Sequence, residues 1–367
     1  MQVWRNFAKR IANKYADWLI NCRNYQDRLD EIKVLHLITY RDQQCLFQQP
    51  PPHTKEEEKG LEGGKEYFEL YDEITRMGLG KRRKELAERL GKQVNNLMNT
   101  VVKKGGQNPY PEPLSAEELH KIAQNPHEID EEMKKKLTVI VKHPDGFDVV
   151  VKKSSITHPS SGYGVFLEGK APPGTVIGFY PGVVYAPPLS KKIYKGNDYI
   201  ISRSYDGVLV DGKRWDLKAE KYHQLAKNLE DTFSVLPSGE LVSPSGPHSR
   251  FRNQFAIANH INHPPPGAHP NVFCFGYDFK TTNTPKEARP FIPNIEDKDM
   301  NLLFKNFTSD ILSRAIICVT TTTIENEELY LNYRYNPRNK YPDWYVEPNP
   351  DEAKRRWGPI RMFYPLK

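Results

Sequence analysis

The sequence predicts an α+β protein, in which a mostly β domain follows an N-terminal helical region. In residues 66–76 and 81–102, apolar side chains recur every three or four positions, which is the spacing of one helix face. From Leu137 onward the chain changes to short β-branched and aromatic runs separated by glycine and proline, which is typical of strands. No alternation of strands with helices is visible, and this argues against a doubly wound parallel sheet.

The change from helical spacing to strand-like runs, together with the composition of the last residues, divides the chain into three parts. Residues 1–136 form the predicted helical region, residues 137–335 the β domain, and residues 336–367 a tail rich in aromatic and basic side chains. In the helical region, Ser115 begins a capping-box sequence, which predicts a helix start there and a further short helix near 127–137. The predicted strands lie at 138–141, 148–151, 176–180, 199–202, 208–210 and 315–320.

Composition and cysteine usage indicate a globular intracellular protein. Hydrophobic residues make up 38% of the chain, enough to bury a core, and the 30 prolines predict a loop-rich architecture. No apolar run approaches the ~18 residues that a membrane-spanning helix needs, which argues against a transmembrane protein. The four cysteines lie far apart, form no C-x-x-C pair and follow no signal-peptide pattern, so we expect a reducing compartment.

The N-terminus and the net charge bear on location and partners. In residues 2–23, aromatic and aliphatic side chains recur at helical spacing beside basic residues, which predicts a basic amphipathic helix. Such a helix is either a mitochondrial presequence or a structural helix packed on the domain, so a mitochondrial location stands beside a nuclear or cytoplasmic one. The formal charge of +7 is modest, and no dense basic block interleaved with aromatics defines a nucleic-acid track.

Four short segments carry residues suited to chemistry. The first is Gly162-Tyr163-Gly164, where glycine permits close backbone approach to a ligand, although alone this pattern predicts only a tight turn. The second is a strand that ends at Tyr180-Pro181-Gly182. The third is Asn259-His260-Ile261-Asn262-His263, and the fourth runs from Glu327 to Tyr333. The order of the four segments is more specific than any one of them.

In this order the segments resemble the motifs of the SET domain, a family of protein methyltransferases. Its members carry a G-x-G turn, a Y-x-G turn, an N-H-S-C segment with a later P-N, and a final G-E-E-L-x-x-D-Y; the likeness covers about residues 137–335. Residues 180–185, 206–212 and 293–295 resemble the SET-domain-containing protein 9 branch in particular. The resemblance implies a SET fold of small curved sheets with a threaded C-terminal segment. It also implies methyl transfer from S-adenosylmethionine to a lysine of a protein substrate.

The resemblance implies a role for each matched residue. Tyr333 is the implied catalytic tyrosine and also contacts the cofactor, and Tyr180 lies in the same neighbourhood as a second catalytic residue. A phenol oxygen such as that of Tyr333 accepts weak C–H···O contacts from a polarised methyl group, while neighbouring rings face the sulfonium. Five further residues are implied to bind S-adenosylmethionine: Gly162, Tyr163, Gly164, Asn259 and His260.

A lysine nucleophile needs a particular environment. In water its pKa of about 10.4 keeps the amine protonated at neutral pH, so an aromatic channel that desolvates the amine favours the neutral form. The aromatic residues of the tail, 336–367, either close such a channel near the active site or pack as ordinary core. The chemistry requires no metal, and no cysteine-rich segment flanks the domain to hold structural zinc.

Several positions depart from the family pattern. Ile261 and Asn262 replace the usual Ser-Cys, and the loop over 263–271 is longer than is common. Asn326 replaces a glycine, which is a mild change because asparagine tolerates positive φ. Asn332 replaces an aspartate, and its neutral amide cannot supply the carboxylate's charge. A catalytically weak or inactive SET-fold protein-binding module is therefore the alternative.

A different alternative is the zinc site of a hydrolase. His260, His263, His269 and Cys274 carry imidazole and thiolate groups, which are natural zinc ligands. Their spacing is not a standard one, and the proline run at 264–266 places none of them on a helix. The sequence therefore favours the methyltransferase, with no metal site.

Overall fold

The computed structural model describes residues 25–47, 62–104, 139–185, 197–203, 206–213, 234–235, 241–242, 253–296 and 310–357. Four of the sequence predictions lie outside these residues. They are the amphipathic helix of 2–23, the capping box at Ser115, the short helix near 127–137 and the end of the tail, 358–367.

The described helices are α1 (Tyr25–Phe47), α2 (Glu62–Arg76), α3 (Leu79–Lys103) and α4 (Pro350–Trp357). Both α2 and α3 confirm the helices expected from the apolar spacing. The sequence does not predict α1, because every residue from 30 to 40 except Lys33 is buried, and a helix without a solvent-facing side shows no apolar periodicity. In the described residues, no helix combines the length and the hydropathy needed to cross a membrane.

The described strands form small sheets. One sheet has the order β1-β2-β3-β13, a second β10-β12-β4 and a third β11-β5-β7-β6, while β8 and β9 form a short hairpin. Among the described strands β11 and β5 pair in parallel and the other pairs are antiparallel. The strands are β1 Val139–Lys142, β2 Asp148–Lys153, β3 Tyr163–Ala171, β4 Val176–Tyr180, β5 Gly182–Tyr185, β6 Ile200–Ser202, β7 Leu209–Asp211, β8 Ser234–Val235, β9 Leu241–Val242, β10 Val272–Lys280, β11 Asn294–Glu296, β12 Ile311–Thr320 and β13 Ile324–Glu328.

The segment after β13 lies between the two ends of the proline-rich loop 263–271. Tyr330 forms a parallel bridge with Asn262, and Leu331 forms one with Val272. Leu331 N donates to Asn262 O at 2.8 Å, and Val272 N donates to Tyr330 O at 3.1 Å. This passage places the third and fourth sequence motifs side by side. Together with the small antiparallel sheets and the N-terminal helices, it confirms the predicted α+β fold.

The N-terminal helices dock on the turn between β3 and β4. The Gln93 side chain on α3 donates to Gly174 O and accepts from Val176 N, each at 2.9 Å. One side-chain amide thus pairs two backbone groups at the start of β4. Gly174 has φ +79, and a Cβ there would lie 2.6 Å from the carbonyl carbon of Leu37 on α1, so only glycine allows this approach. Buried side chains of α1, α3 and the sheets belong to one hydrophobic cluster.

The tail returns to the N-terminal helix α1. Arg356 on α4 contacts Asp30 at 2.7 Å and Asp27 at 3.4 Å. The Arg355 guanidinium donates to Gln26 Oε1 at 2.6 Å. Because the Asp30 side chain is only 2% exposed, removal of Arg356 would leave a buried carboxylate with less compensation. The two ends of the described chain thus support each other beside the β domain.

Three histidines join separate elements through one kind of contact. In each histidine, burial lowers the imidazole pKa below 6.5. The hydrogen bond from the ring to a backbone carbonyl raises the pKa, but burial has the larger effect. We therefore expect NMR titration of the ring protons to place the pKa of each imidazole below 6.5. The donor Nε2–H lies 2.9–3.0 Å from a backbone oxygen in each case: Tyr67 O for His36, Val176 O for His143 and Val346 O for His263.

The lowered histidine pKa values make folding stability depend on pH. A histidine whose pKa is lower in the folded state stabilises the protein fully above pH ~6.5, and this contribution is lost as the pH falls towards the folded value. Asp27 acts in the opposite direction, because burial raises its pKa to about 7. The ring resonances, assigned with single histidine-to-glutamine variants, therefore test the prediction better than overall stability does. A ring that titrates above 6.5 would contradict it.

Candidate functional site

The Asn-His motif lies on a short 3-10 helix, Ala258–His260, whose three residues are buried. Phe179 N on β4 donates to Phe255 O at 2.8 Å, which attaches the chain before this helix to the sheet. Asn259 and His260 are each only 7% exposed, and Asn259 Nδ2 lies 3.4 Å from His260 Nε2. Two polar side chains are thus held inside the protein next to β3, where burial makes each polar partner energetically important.

The G-x-G turn leads directly into β3. Gly162 has φ 57, a conformation that glycine adopts without strain, and its carbonyl accepts from Ser154 N at 3.0 Å. The Asn262 side chain donates to Tyr163 O at 2.9 Å. Asn262, which stands where the family pattern has cysteine, therefore links the third motif to the first.

Glu328 is the central polar side chain beside this turn. It is 4% exposed, and its carboxylate accepts hydrogen bonds from several donors at once. Ser154 Oγ donates at 2.7 Å, Ser155 N at 2.8 Å, and Asn262 Nδ2 at 3.3 Å. Hydroxyl, amide and backbone donors thus hold this buried carboxylate, which fastens the chain before the G-x-G turn to the fourth motif.

The need for glycine at position 164 comes from Glu328. A Cβ on Gly164 would lie 2.8 Å from the Glu328 carboxyl carbon and closer still to its Oε1. The sequence suggested that glycine leaves room for a ligand, whereas the structure gives the room to this carboxylate. Glu328 stands within the fourth motif, but the sequence alone assigns it no role. Its partners Ser154 and Ser155 are more than 170 residues away along the chain, so no local pattern identifies them.

Tyr333 lies against the loop that follows the Asn-His motif. Its hydroxyl donates to Ile261 O at 3.1 Å, and its backbone N donates to His263 Nδ1 at 3.3 Å. Burial raises the pKa of the Tyr333 phenol well above its usual value of 10. At neutral pH the phenol is therefore protonated, so its oxygen is a neutral dipole and not a phenolate base.

Tyr180 ends β4 in the same neighbourhood. Its hydroxyl donates to Tyr199 O at 2.8 Å. Burial, followed by the nearby Tyr333 phenol, raises the pKa of Tyr180. A Cβ on Gly212 would lie 2.9 Å from the Tyr180 ring, so a glycine is needed for the close approach of the chain to this ring.

Aromatic side chains of the tail pack around Tyr333. The Trp344 ring lies edge-on to Tyr333, with centroids 5.9 Å apart. Tyr345 stacks on His263, with ring centroids 4.3 Å apart, and on Tyr335, with centroids 4.9 Å apart. The described part of the tail therefore contributes rings to the surroundings of Tyr333, where apolar burial lowers the local polarity.

The departure at position 326 is explained by backbone geometry. Asn326 has φ 52, and its side-chain Oδ1 accepts from Gly169 N at 2.8 Å. Asparagine is one of the few residues other than glycine that visits this conformation. The expectation that the exchange of glycine for asparagine is tolerated here is confirmed.

The residues of the zinc alternative do not form a metal site in the described structure. His263 uses both ring nitrogens, since Nε2–H donates to Val346 O at 2.9 Å and Nδ1 accepts from Tyr333 N. Within the described ranges, no cluster of three or more histidine, cysteine, aspartate or glutamate side chains is arranged to hold a metal ion. Cys274 instead lies 3.1 Å from the sulfur of Cys318 on the neighbouring strand.

Three of the four motifs predicted from the sequence contact one another. Asn262 joins the third motif to the first, and Tyr333 joins the fourth to the third through Ile261 O. Tyr180, in the second motif, donates instead to Tyr199 O at 2.8 Å. Glu328 belongs to the same assembly, although the sequence assigned it no role. The tail rings belong to it as well, and a position near the active site was one of the two that the sequence predicted for them.

Comparison with known proteins finds two similar relatives. The chain is 30% identical over 196 residues to the human "SET domain-containing protein 9" and, at the same identity and length, to the protein of that name from Pongo abelii. The match covers 51% of this chain, 58% of the human protein and 64% of the Pongo abelii protein. The similarity therefore spans less than two thirds of each relative. No family model matches the chain.

Proposed function

We propose that this chain, which the similarity to these relatives supports as a member of the SET-domain family, is a protein-lysine methyltransferase that uses S-adenosylmethionine. The observation that carries the proposal is that the first, third and fourth motifs are joined by hydrogen bonds beside Tyr333. Ile261 O accepts from the Tyr333 hydroxyl at 3.1 Å, and Asn262 reaches back to Tyr163 O at 2.9 Å. The proposed location is inside the cell, in the nucleus or cytoplasm. A mitochondrial location is the alternative if the N-terminal segment is a presequence.

The residues present fit the proposed cofactor. Gly162 has φ 57, Tyr163 O accepts from Asn262 Nδ2 at 2.9 Å, and Asn259 and His260 are buried just before Asn262 in the chain. In this proposal, these backbone and amide groups bind the amino-acid and nucleoside parts of the cofactor. When bound, S-adenosylmethionine supplies an electrophilic methyl group on a cationic sulfonium. Phenol and carbonyl oxygens suit that cation better than ammonium or guanidinium groups would.

Tyr333 and the rings around it have separate tasks in this proposal. The phenol of Tyr333 is neutral, so its oxygen attracts a positively polarised methyl group without taking the proton of the lysine. The rings of Tyr335, Trp344 and Tyr345 exclude water, which lowers the pKa of an incoming lysine amine and favours its nucleophilic form. The main contribution of the chain is then alignment of the amine with the methyl group.

The first test is calorimetric titration of the purified protein with S-adenosylmethionine. It is followed in the same sample by a labelled-methyl assay on cell lysate, with digestion to identify the modified amino acid. Binding together with label on lysine would support the proposal. A protein that does not bind S-adenosylmethionine would overturn it.

Asn259→Ala is expected to weaken cofactor binding. Loss of one buried hydrogen-bonding amide corresponds to roughly a tenfold rise in Kd. The measurement is the same calorimetric titration, with Asn99→Ala on the exposed side of α3 as the matched control. A wild-type Kd for Asn259→Ala would mean that the third motif does not hold the cofactor.

A catalytically weak or inactive binding module is the second candidate. The observation that favours it is the set of departures at Ile261, Asn262 and Asn332. A protein substrate or peptide that binds the purified chain without acquiring a methyl group would favour this module. Methyl incorporation that depends on Tyr333 would exclude it.

A further inference from the structure

Asn332, where the family pattern has aspartate, faces a carboxylate from the tail. Asn332 Nδ2 donates to Glu347 Oε1 at 3.2 Å. Its other amide atom, Oδ1, accepts from Arg334 N at 2.8 Å. An aspartate at this position would keep the second contact and lose the first, since a carboxylate has no hydrogen to donate to Glu347.

Glu347 also accepts hydrogen bonds from two groups of the tail. Its Oε2 accepts from the Tyr345 hydroxyl at 2.8 Å, and its Oε1 accepts from Asn349 N at 3.0 Å. Tyr345 is only 5% exposed. Asn332 and Glu347 are thus the two polar ends of one hydrogen-bonded cluster, with the carboxylate on the tail and the amide on the segment that carries Tyr333.

This cluster fixes the backbone on both sides of Tyr333. Arg334, the next residue, has φ 54, which is strained for an arginine and is held by the bond from its N–H to Asn332 Oδ1. Tyr345, which Glu347 anchors, stacks on His263, and His263 Nδ1 accepts from Tyr333 N. The residue before Tyr333, the residue after it and its own N–H therefore all connect to the tail.

We propose that Glu347 is a positioning residue for the reaction, supplying from the tail the carboxylate that the family carries at position 332. The inference rests on the proposed methyltransferase function. In this chain an amide stands at position 332, where the family pattern has an acid, and a carboxylate 15 residues later in the tail accepts a hydrogen bond from that amide. Asn332 then does not indicate a loss of catalytic activity, because the pair of Asn332 and Glu347 still contains one carboxylate and one hydrogen-bond donor.

The order of the acid and the amide in this pair can be reversed by mutation. In Asn332→Asp two carboxylates face each other, and in Glu347→Gln two amides meet without a charge. The double variant, Asn332→Asp with Glu347→Gln, restores one acid and one donor in the opposite order. Asp343→Asn, which removes a tail carboxylate that is 89% exposed, is the matched control.

The experiment measures the midpoint of unfolding, the Kd for S-adenosylmethionine, and kcat and KM on a synthetic peptide that carries the lysine labelled in the lysate assay. We expect kcat to fall roughly tenfold in Asn332→Asp, with a smaller fall in Glu347→Gln, and to return to within about threefold of wild type in the double variant. Cofactor Kd stays unchanged throughout, and Asp343→Asn behaves as wild type. A merely structural role would move the midpoint and leave kcat of the folded protein unchanged.

Two results would overturn the inference. One is additivity of the two single variants in the unfolding midpoint, which would mean that the pair does not interact. The other is a wild-type kcat for Asn332→Asp, which would mean that the pair does not position Tyr333. If the wild-type chain binds no S-adenosylmethionine, the proposed function fails and with it the catalytic role of the pair, while the unfolding measurements still decide the pairing itself.

Discussion

Tyr333→Phe is expected to leave the chain folded and able to bind S-adenosylmethionine while slowing methyl transfer at least ~10²-fold, the size of effect seen when one preorganised polar group is removed from an active site. The change deletes a single hydroxyl, which donates to Ile261 O at 3.1 Å. Loss of that bond costs about 1 kcal/mol of stability, too little to unfold the protein. The measurement is labelled-methyl incorporation at saturating cofactor.

The control for Tyr333→Phe is Tyr71→Phe, the same chemical change on α2. Tyr71 is 37% exposed and stacks edge-on to His36, away from the motifs. It should retain the wild-type rate. If Tyr333→Phe transfers methyl groups as fast as Tyr71→Phe does, Tyr333 is not the catalytic tyrosine.

Glu328→Ala is expected to have the largest effect on stability and to weaken cofactor binding. Its removal leaves the buried Ser154 Oγ and the part-buried Ser155 N without their acceptor, and it removes one of the two hydrogen-bond partners of Asn262. Hydrogen bonds to a charged group contribute about 1.5–3 kcal/mol each, so we expect a loss of at least ~3 kcal/mol in the free energy of unfolding. Chemical denaturation with urea measures this loss.

The neighbouring carboxylate provides the matched control. Glu327 is exposed, so Glu327→Ala should change stability by less than ~0.5 kcal/mol. Glu328→Gln keeps the size of the side chain and one acceptor, and it should lie between the two. Equal unfolding free energies for Glu327→Ala and Glu328→Ala would contradict the central role of this carboxylate.

Elements with a clear contrast between a buried and an exposed side could be predicted from the sequence. The apolar spacing in 66–76 and 81–102 identified α2 and α3, and the run at 176–180 identified β4 with its bounds. Helix α1 escaped this reasoning because its middle is buried almost all round. Burial on every side results from packing in the folded molecule, and it leaves no periodic pattern of apolar residues in the sequence.

The same division holds for the candidate site. The order of four motifs along the chain indicated the family and the residues around Tyr333, because each motif has local glycine, amide or phenol chemistry that can be recognised in a few letters. The function of Glu328 as an acceptor for Ser154 depends on contacts across 174 residues of chain. Likewise, Asn332 read alone resembles a defect, and only its contact with Glu347 makes it one half of a pair. The sequence by itself therefore determined which side chains are present and in what order. Which of them meet was decided by the tertiary structure, because hydrogen bonds depend on distances in space and not on separation along the chain.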